Sequence, residues 1–177
     1  KFVRYWDKAG PEGDGAYTAG VLLGLDFDGR FWILDVIREQ KESHSREKMI
    51  QQTATLDDNH RERIATHLKQ YQKKTELLIG LEQEPGSGGK ESAENTVRGL
   101  SGYRVRVDRP TGDKALRADP FSVQVNAGNV SMVEAPWNQA YLDEMRHFPN
   151  SKYKDQIDAS SGAFSLLVKK SIKVGAL

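Results

Sequence analysis

Carboxylates stand at the ends of two strand-like segments. Asp7 closes the alternating aromatic and β-branched segment Phe2–Asp7, and Gly and Pro follow it. Glu82 and then Glu84 follow the wholly apolar residues 77–81, a pattern typical of a strand buried on both faces. Burying a carboxylate is costly unless a cation or hydrogen-bond donor meets it. Asp7 is therefore either a structural aspartate with a local partner or a metal ligand.

A third acidic group opens the last predicted helix, Asp155–Val168. Asp155 and Asp158 are spaced i, i+3, which places both carboxylates on one helix face near its N-terminus. Taken alone, they could simply offset the helix dipole. Together with the two strand ends they suit a two-metal site for phosphodiester cleavage. Oxygen ligands, with no Cys and no His cluster for zinc, favour Mg²⁺ or Mn²⁺.

The elements that must carry these acids have an α/β pattern. Three strands come first, and a tight Asp-Gly turn joins the second to the third, so these strands should pair antiparallel. Asp35, within the third strand, either joins the acidic group or is a satisfied aspartate near Arg38. A long helical region from residue 43 is open to interruption at residues 57–59. Further predicted strands are 77–81, 103–107 and 130–133, and further helices are 91–100, 113–127, 136–148 and 155–168.

Length and composition indicate a single globular domain. The chain has 177 residues, 37% hydrophobic and 29% charged, which is enough for one sizeable core. We expect this domain over residues 1–168 and a loose basic tail over residues 169–177. The absence of Cys excludes disulfides and thiolate metal sites, and no apolar run is long enough to span a membrane. The net charge of +1 gives no overall electrostatic signature for nucleic acid.

Positive charge is nevertheless concentrated between residues 98 and 117. Six basic side chains lie there against two aspartates, which would suit a phosphate backbone, although a solvated surface is the alternative. The Gly-rich residues 86–90 do not form a nucleotide-binding P-loop, because Glu stands where that motif needs Gly and again where it needs Ser or Thr. They could instead admit a phosphate at a helix start. The candidate DNA contacts are Lys114, Arg117, Arg109, Arg104 and Lys90.

Several motifs together resemble the C-terminal nuclease domain of tailed-phage large terminase subunits, in the right order and over nearly the whole chain. They are residues 4–9 (RYWDKA) with 13–20 (GDGAYTAG), 79–87 (IGLEQEPGS), 111–114 (TGDK) with Arg117, 128–130 (GNV) and 155–159 (DQIDA).

The resemblance implies an RNase H-like three-layer α/β fold with a central mixed sheet flanked by helices. It implies a metal-dependent endonuclease that cuts concatemeric double-stranded viral DNA at the start and end of packaging. One departure is Lys154-Asp155, where the family often has two adjacent acids, so either Asp155 or Asp158 completes the site. By position, Asp7, Glu82 and Asp155 would be catalytic metal ligands for Mg²⁺ or Mn²⁺, with Glu84, Asp14 and Asp158 as secondary candidates.

The same resemblance implies partners. They are double-stranded DNA, an ATPase domain of the same subunit lying before Lys1, the portal and the small terminase subunit, with no membrane. The setting would be the bacterial host cytoplasm during infection, docked on the procapsid portal. Two alternatives stay open on the residues alone. One is another RNase H-like nuclease or recombinase, such as a resolvase or transposase core, and the other is a non-catalytic DNA-binding packaging domain.

Overall fold

A six-stranded mixed sheet forms the centre of the computed structural model, which describes residues 1–8, 17–68 and 75–169. The spatial order of the strands is β5-β4-β1-β2-β3-β6. The first three strands pair antiparallel, whereas β4 runs parallel to β1, β5 to β4 and β6 to β3. The strands are β1 Phe2–Asp7, β2 Thr18–Leu25, β3 Phe31–Glu39, β4 Leu77–Glu82, β5 Val105–Asp108 and β6 Val130–Met132.

Five helices cover both faces of this sheet. They are α1 Ser43–Leu68, α2 Gly86–Gly99, α3 Lys114–Asn126, α4 Asn138–His147 and α5 Asp155–Val168. On one face, Ile50 and Ala54 of α1 pack with Trp6 and Ile79 in a buried apolar cluster. On the other face, the core contains Phe121 of α3, Tyr141 of α4 and Phe164 of α5, packed with Val21 and other side chains of the first three strands. The expected three layers are confirmed, and none of the described helices is long and apolar enough to cross a membrane.

The expected interruption of the first long helix at residues 57–59 is wrong, because α1 is continuous through them. Asp57 is buried, and its two oxygens accept hydrogen bonds of 2.8 Å from Nε and Nη2 of the buried Arg4. Asp35 accepts a third bond from Arg4, at 2.7 Å. Asp35 is therefore a structural partner of Arg4, neither part of an acidic site nor paired with Arg38.

The Gly-rich residues after β4 are helical, which corrects the predicted helix start at residue 91. Helix α2 begins at Gly86, with Pro85 in an extended conformation before it. A Cβ added at Gly89 would lie 2.2 Å from the carbonyl oxygen of Glu84. Gly89 therefore permits close packing against the backbone of Glu84 rather than against a phosphate.

A second close approach brings α5 onto the sheet. A Cβ added at Gly162 would meet the Tyr5 ring at 2.4 Å, so a larger residue would push the helix away from β1. Packed in this way, α5 directs its N-terminal turn towards the edge where β1 ends. The expected tail over residues 169–177 lies outside the described residues except for Lys169.

Candidate active site

Asp7 and Glu82 come to the same edge of the sheet. Strands β1 and β4 are parallel, with Trp6 opposite Leu81, so the next residue of each strand reaches this edge side by side. The side chain of Asp7 is 12% exposed and that of Glu82 is 15% exposed. The strand ends therefore hold two largely buried carboxylates next to each other, as their positions in the sequence predicted.

The first turn of helix α5 brings Asp155 and Asp158 to this edge. Asp158 is only 1% exposed, and its oxygens accept hydrogen bonds from Lys114 and, at 3.5 Å, from Arg117. Asp155 accepts a hydrogen bond from the backbone N–H of Tyr17, whereas its Oδ2 is buried and has no hydrogen-bond partner. The two aspartates thus differ, because both oxygens of Asp158 accept hydrogen bonds from basic side chains, whereas one oxygen of Asp155 accepts none.

The pKa values of three acids at this edge are raised. Burial is the largest reason that the pKa of Asp7 lies well above its usual value, and the charge of Glu82 adds to it. Burial also raises the pKa values of Glu82 and Asp155, with the charge of Asp158 acting in the same direction on both. Clustered carboxylates with shifted pKa values are typical of functional sites.

Two basic side chains of α3 already lie among these acids. Lys114 donates a hydrogen bond to Asp158, and its Nζ lies 4.0 Å from Asp7 Oδ2. Arg117 Nη1 lies 3.6 Å from Glu82 Oε2. Burial opposes the charge on Lys114, but its carboxylate neighbours outweigh burial and raise its pKa. Lys114 and Arg117 therefore act as internal counter-ions to the acidic group.

The residues of this edge fit a hard divalent cation in ligand type. Asp7, Glu82 and Asp155 offer only carboxylate oxygens, the ligands that Mg²⁺ and Mn²⁺ prefer. Glu82 Oε2, like Asp155 Oδ2, is buried without a hydrogen-bond partner. Across residues 1–8, 17–68 and 75–169, however, no three Asp, Glu or His side chains are arranged so that they could hold a metal ion. The ammonium of Lys114 lies between Asp7 and Asp158, so binding a metal there requires this cation to move.

Glu144, which the sequence reasoning missed, fixes the N-terminus of α5. This largely buried carboxylate of α4 accepts hydrogen bonds from the backbone N–H groups of Gln156, at 2.8 Å, and Ile157, at 3.1 Å. It also accepts one from Gln156 Nε2 at 2.6 Å. Lys154, at the N-cap, makes no side-chain cap of its own. A helix start without a capping residue was the available signal that a distant acceptor was needed.

Lys8, also missed, fixes the end of β1 from the other layer. Its buried ammonium donates hydrogen bonds to Ser92 Oγ and Thr96 Oγ1 of α2, both at 2.8 Å, and to the Ser92 carbonyl at 3.0 Å. The backbone on both sides of Asp7 is therefore fixed, by the pairing of β1 before it and by the hydrogen bonds of Lys8 after it. A lysine directly after a strand-end aspartate gave no sign of this role in the sequence.

The two remaining acidic candidates are not part of this cluster in the described structure. Glu84 is exposed beyond the end of β4, and its charge acts on Lys8, whose pKa burial lowers. Asp14 lies outside the described residues.

The other candidate DNA contacts are spread along β5 and α2. Arg109 donates a 3.1 Å hydrogen bond to Gln83 beside the acidic edge, and Lys90 is exposed near Glu94. Both line a groove of about 630 Å³ between α2 and β5, together with Arg98. Arg104 precedes the other end of β5, 4.0 Å from Glu76, and so lies away from the acids.

Comparisons with known proteins agree with this architecture. A family model described as the terminase RNaseH-like domain matches residues 4–167. The Mn-soaked, inhibitor-bound human cytomegalovirus terminase nuclease domain is 18% identical, with 93% of this chain and 82% of that chain covered and a TM-score of 0.60. The yeast mitochondrial Holliday junction resolvase Ydc2 is 10% identical over 91% and 76%, with a TM-score of 0.51. These identities are low enough that the two structures support the fold alone, and no curated protein matches the sequence.

Proposed function

Because the chain belongs to the terminase RNaseH-like domain family, we propose that it is a divalent-metal-dependent endonuclease that cuts double-stranded DNA during viral genome packaging. The fold and the family are those implied by the sequence motifs. The metal dependence, the substrate and the packaging role are the proposal.

The main support for this proposal is the arrangement of three carboxylates. Asp7, Glu82 and Asp155 arrive from two parallel strand ends and a helix N-terminus at one sheet edge. Their pKa values are raised by burial, and two of their oxygens are buried without a hydrogen bond, of which Glu82 Oε2 has only Arg117 Nη1 at 3.6 Å. Leaving such groups uncompensated is costly for a protein unless they serve a ligand.

Within this proposal Asp7, Glu82 and Asp155 hold Mg²⁺ or Mn²⁺. When bound, two such ions would activate the attacking water and stabilise the leaving oxygen of the phosphodiester. Asp158 is the positioning residue that keeps Lys114 and Arg117 at the edge. Glu84 and Asp14 remain secondary candidate ligands.

Lys114 and Arg117 then have two successive roles. In the metal-free domain they neutralise the acids. When the carboxylates take up a divalent cation, both side chains become available for the phosphates of the bound strand. Arg109 and Lys90 would extend the contact along the groove between α2 and β5. Arg104, before the other end of β5, remains a more distant candidate contact. Such contacts are to the backbone and carry no sequence preference.

The packaging role adds partners beyond the domain. We propose that the domain works beside an ATPase domain of the same subunit, with the portal and the small terminase subunit, in the host cytoplasm at the procapsid. Tailed phages are the source that the sequence motifs favour.

The test is cleavage of supercoiled plasmid and linear duplex in Mn²⁺, in Mg²⁺ and in excess EDTA. Cleavage of both DNA forms with either metal, and none in EDTA, is the expected result. A four-way junction serves as the matched control substrate, because the yeast resolvase shares the fold. Undiminished cleavage in EDTA would contradict the metal requirement, and cleavage of the junction alone would contradict the packaging substrate.

A further inference from the structure

Arg38, at the end of β3, borders the acidic edge without any role in the site described above. Its guanidinium carbon lies 4.0 Å from the ring centroid of Tyr17 and 4.6 Å from that of Tyr153. The two rings meet edge to face, with centroids 4.9 Å apart, so the guanidinium fills the corner between them. We call these three residues the Arg38 corner.

The Arg38 corner is pre-organised, and within the described residues its guanidinium forms no salt bridge, although its charge acts on Asp155 and Glu144. Arg38 Nε is buried and makes no hydrogen bond. No carboxylate of residues 1–8, 17–68 or 75–169 forms a salt bridge with this guanidinium. Contacts with aromatic rings hold a guanidinium in place and leave its outer N–H groups free to donate. An arginine that is fixed by aromatic rings and forms no salt bridge is suited to an anion that comes from outside the domain.

The corner lies beside Asp155. Tyr17 donates its backbone N–H to Asp155, and Tyr153 precedes Asp155 by two residues. Burial raises the pKa of Asp155, and the nearby charge of Arg38 acts against this rise. The Arg38 corner therefore borders the Asp155 side of the acidic edge.

A cleft of about 420 Å³ opens at the corner, and Arg38 and Lys152 bring positive charge to it. Lys152 Nζ lies 5.0 Å from the Tyr153 centroid, so both cations lie against that ring. The two acids of the cleft are already engaged. Glu144 caps α5, and Asp143 accepts a 2.8 Å hydrogen bond from Gln139. Two acids and two bases therefore line the cleft, and the charge of Arg38 partly opposes the rise that burial causes in the pKa of Glu144.

We propose that the Arg38 corner binds a backbone phosphate of the DNA strand on the Asp155 side of the active site. This inference rests on the proposed function, since it needs DNA at the acidic edge. Guanidinium groups bind phosphate oxygens through two parallel N–H bonds, which a lysine cannot reproduce. The corner thereby adds a contact on the side of the site opposite to the groove between α2 and β5.

The test is the affinity of the purified domain for a fluorescein-labelled duplex across a salt series. Ca²⁺ replaces Mn²⁺, so that the carboxylates can take up a divalent oxygen-liganded ion, and a denaturing gel checks that the probe stays intact. Arg38→Gln should weaken binding, and the slope of log K against log salt should become shallower by about 0.9, the loss of one phosphate contact. The Arg38→Lys domain should keep the salt slope but bind DNA more weakly. Lysine retains the positive charge but cannot donate two parallel N–H bonds to one phosphate. Arg63→Ala, an exposed arginine of α1, is the control and should match the unmodified domain.

The outcomes separate this inference from the proposed function. A folded Arg38→Gln domain with unchanged affinity and slope would overturn the Arg38 corner alone. If Arg38→Gln does not fold, Arg38→Lys decides, and wild-type affinity in that variant would overturn the inference. Failure of the unmodified domain to bind duplex at all would overturn the proposed function and this inference with it.

Discussion

The ammonium group of Lys114 lies 4.0 Å from Asp7 Oδ2, inside the acidic group that the sequence motifs assign to metal binding. A residue expected to contact DNA is thus an internal counter-ion in the metal-free domain. In the proposed function this relationship links the acids to the DNA contact, because the same ammonium group would bind either the acids or a DNA phosphate.

Replacing Lys114 and Arg117 together by Ala should weaken DNA binding to every sequence tested. The salt slope should become shallower by up to about 0.9 for each lost phosphate contact. Fluorescence anisotropy with Ca²⁺ in place of Mn²⁺, on domains with Asp7 unchanged and a probe checked to be uncut, measures both quantities. Arg30→Ala with Arg63→Ala removes the same charge elsewhere on the surface. Equal affinity and slope in the two double variants would show that Lys114 and Arg117 are not DNA contacts.

The metal-free domain should lose stability as the pH rises. Burial raises the folded-state pKa values of Asp7, Glu82 and Asp155. Between the unfolded values, about pH 4, and the raised folded values, the native state binds more protons than the unfolded state. Their contribution is therefore fully present below about pH 4 and is lost as the pH rises through the folded pKa values.

Thermal unfolding in EDTA from about pH 4 to about pH 8 measures this loss. Asp7→Asn has no charge to bury, so its melting temperature should fall less and should exceed the wild-type value at about pH 8. If Asp7 were a structural cap, the variant would instead be less stable throughout this range.

Asp155→Asn and Asp158→Asn should behave differently. Asp155 has a buried oxygen without a partner, whereas both oxygens of Asp158 are engaged by basic side chains. Ligand that binds only the folded state stabilises it, by about 2.7 kcal/mol at a hundred times Kd. Asp155→Asn should lose this Mn²⁺-induced gain, and Asp158→Asn should retain it. The reverse pattern in thermal unfolding would make Asp158 the ligand.

Removing the cap on α5 should destabilise the domain. Glu144→Ala leaves two backbone N–H groups without acceptors in a buried place, which should cost about 2–4 kcal/mol. Asp143→Ala, its exposed neighbour, should stay within about 0.5 kcal/mol of the wild type. Urea unfolding measures both, and equal losses in the two variants would contradict the role of Glu144.

Elements of the fold could be predicted from the sequence where local residue patterns mark them. The antiparallel pairing of the first strands followed from alternation and one turn, whereas the mixed sheet was implied by the family resemblance. The carboxylate ends of β1 and β4 meet because these strands are parallel. The bounds of α5 were predicted correctly, because its apolar spacing is regular and acids mark its start.

Long-range partners could not be predicted in this way. Asp35 and Asp57 looked like a possible ligand and a possible helix break, but both bind Arg4, which is distant in sequence. Glu144 and Arg38 act through residues that only the folded chain brings near them. Such roles depend on tertiary contacts, and no local spacing encodes them.

The central claim is that Asp7 holds a metal needed to cut DNA, and plasmid cleavage by Asp7→Asn in Mn²⁺ tests it most directly. Asn keeps the shape of the side chain but lacks the charge that binds a divalent ion. Asp28→Asn, in the exposed turn between β2 and β3, is the matched control. We expect a folded Asp7→Asn domain that leaves the plasmid intact, beside an Asp28→Asn domain that cuts like the wild type. A fully active Asp7→Asn domain would contradict the assignment of this site.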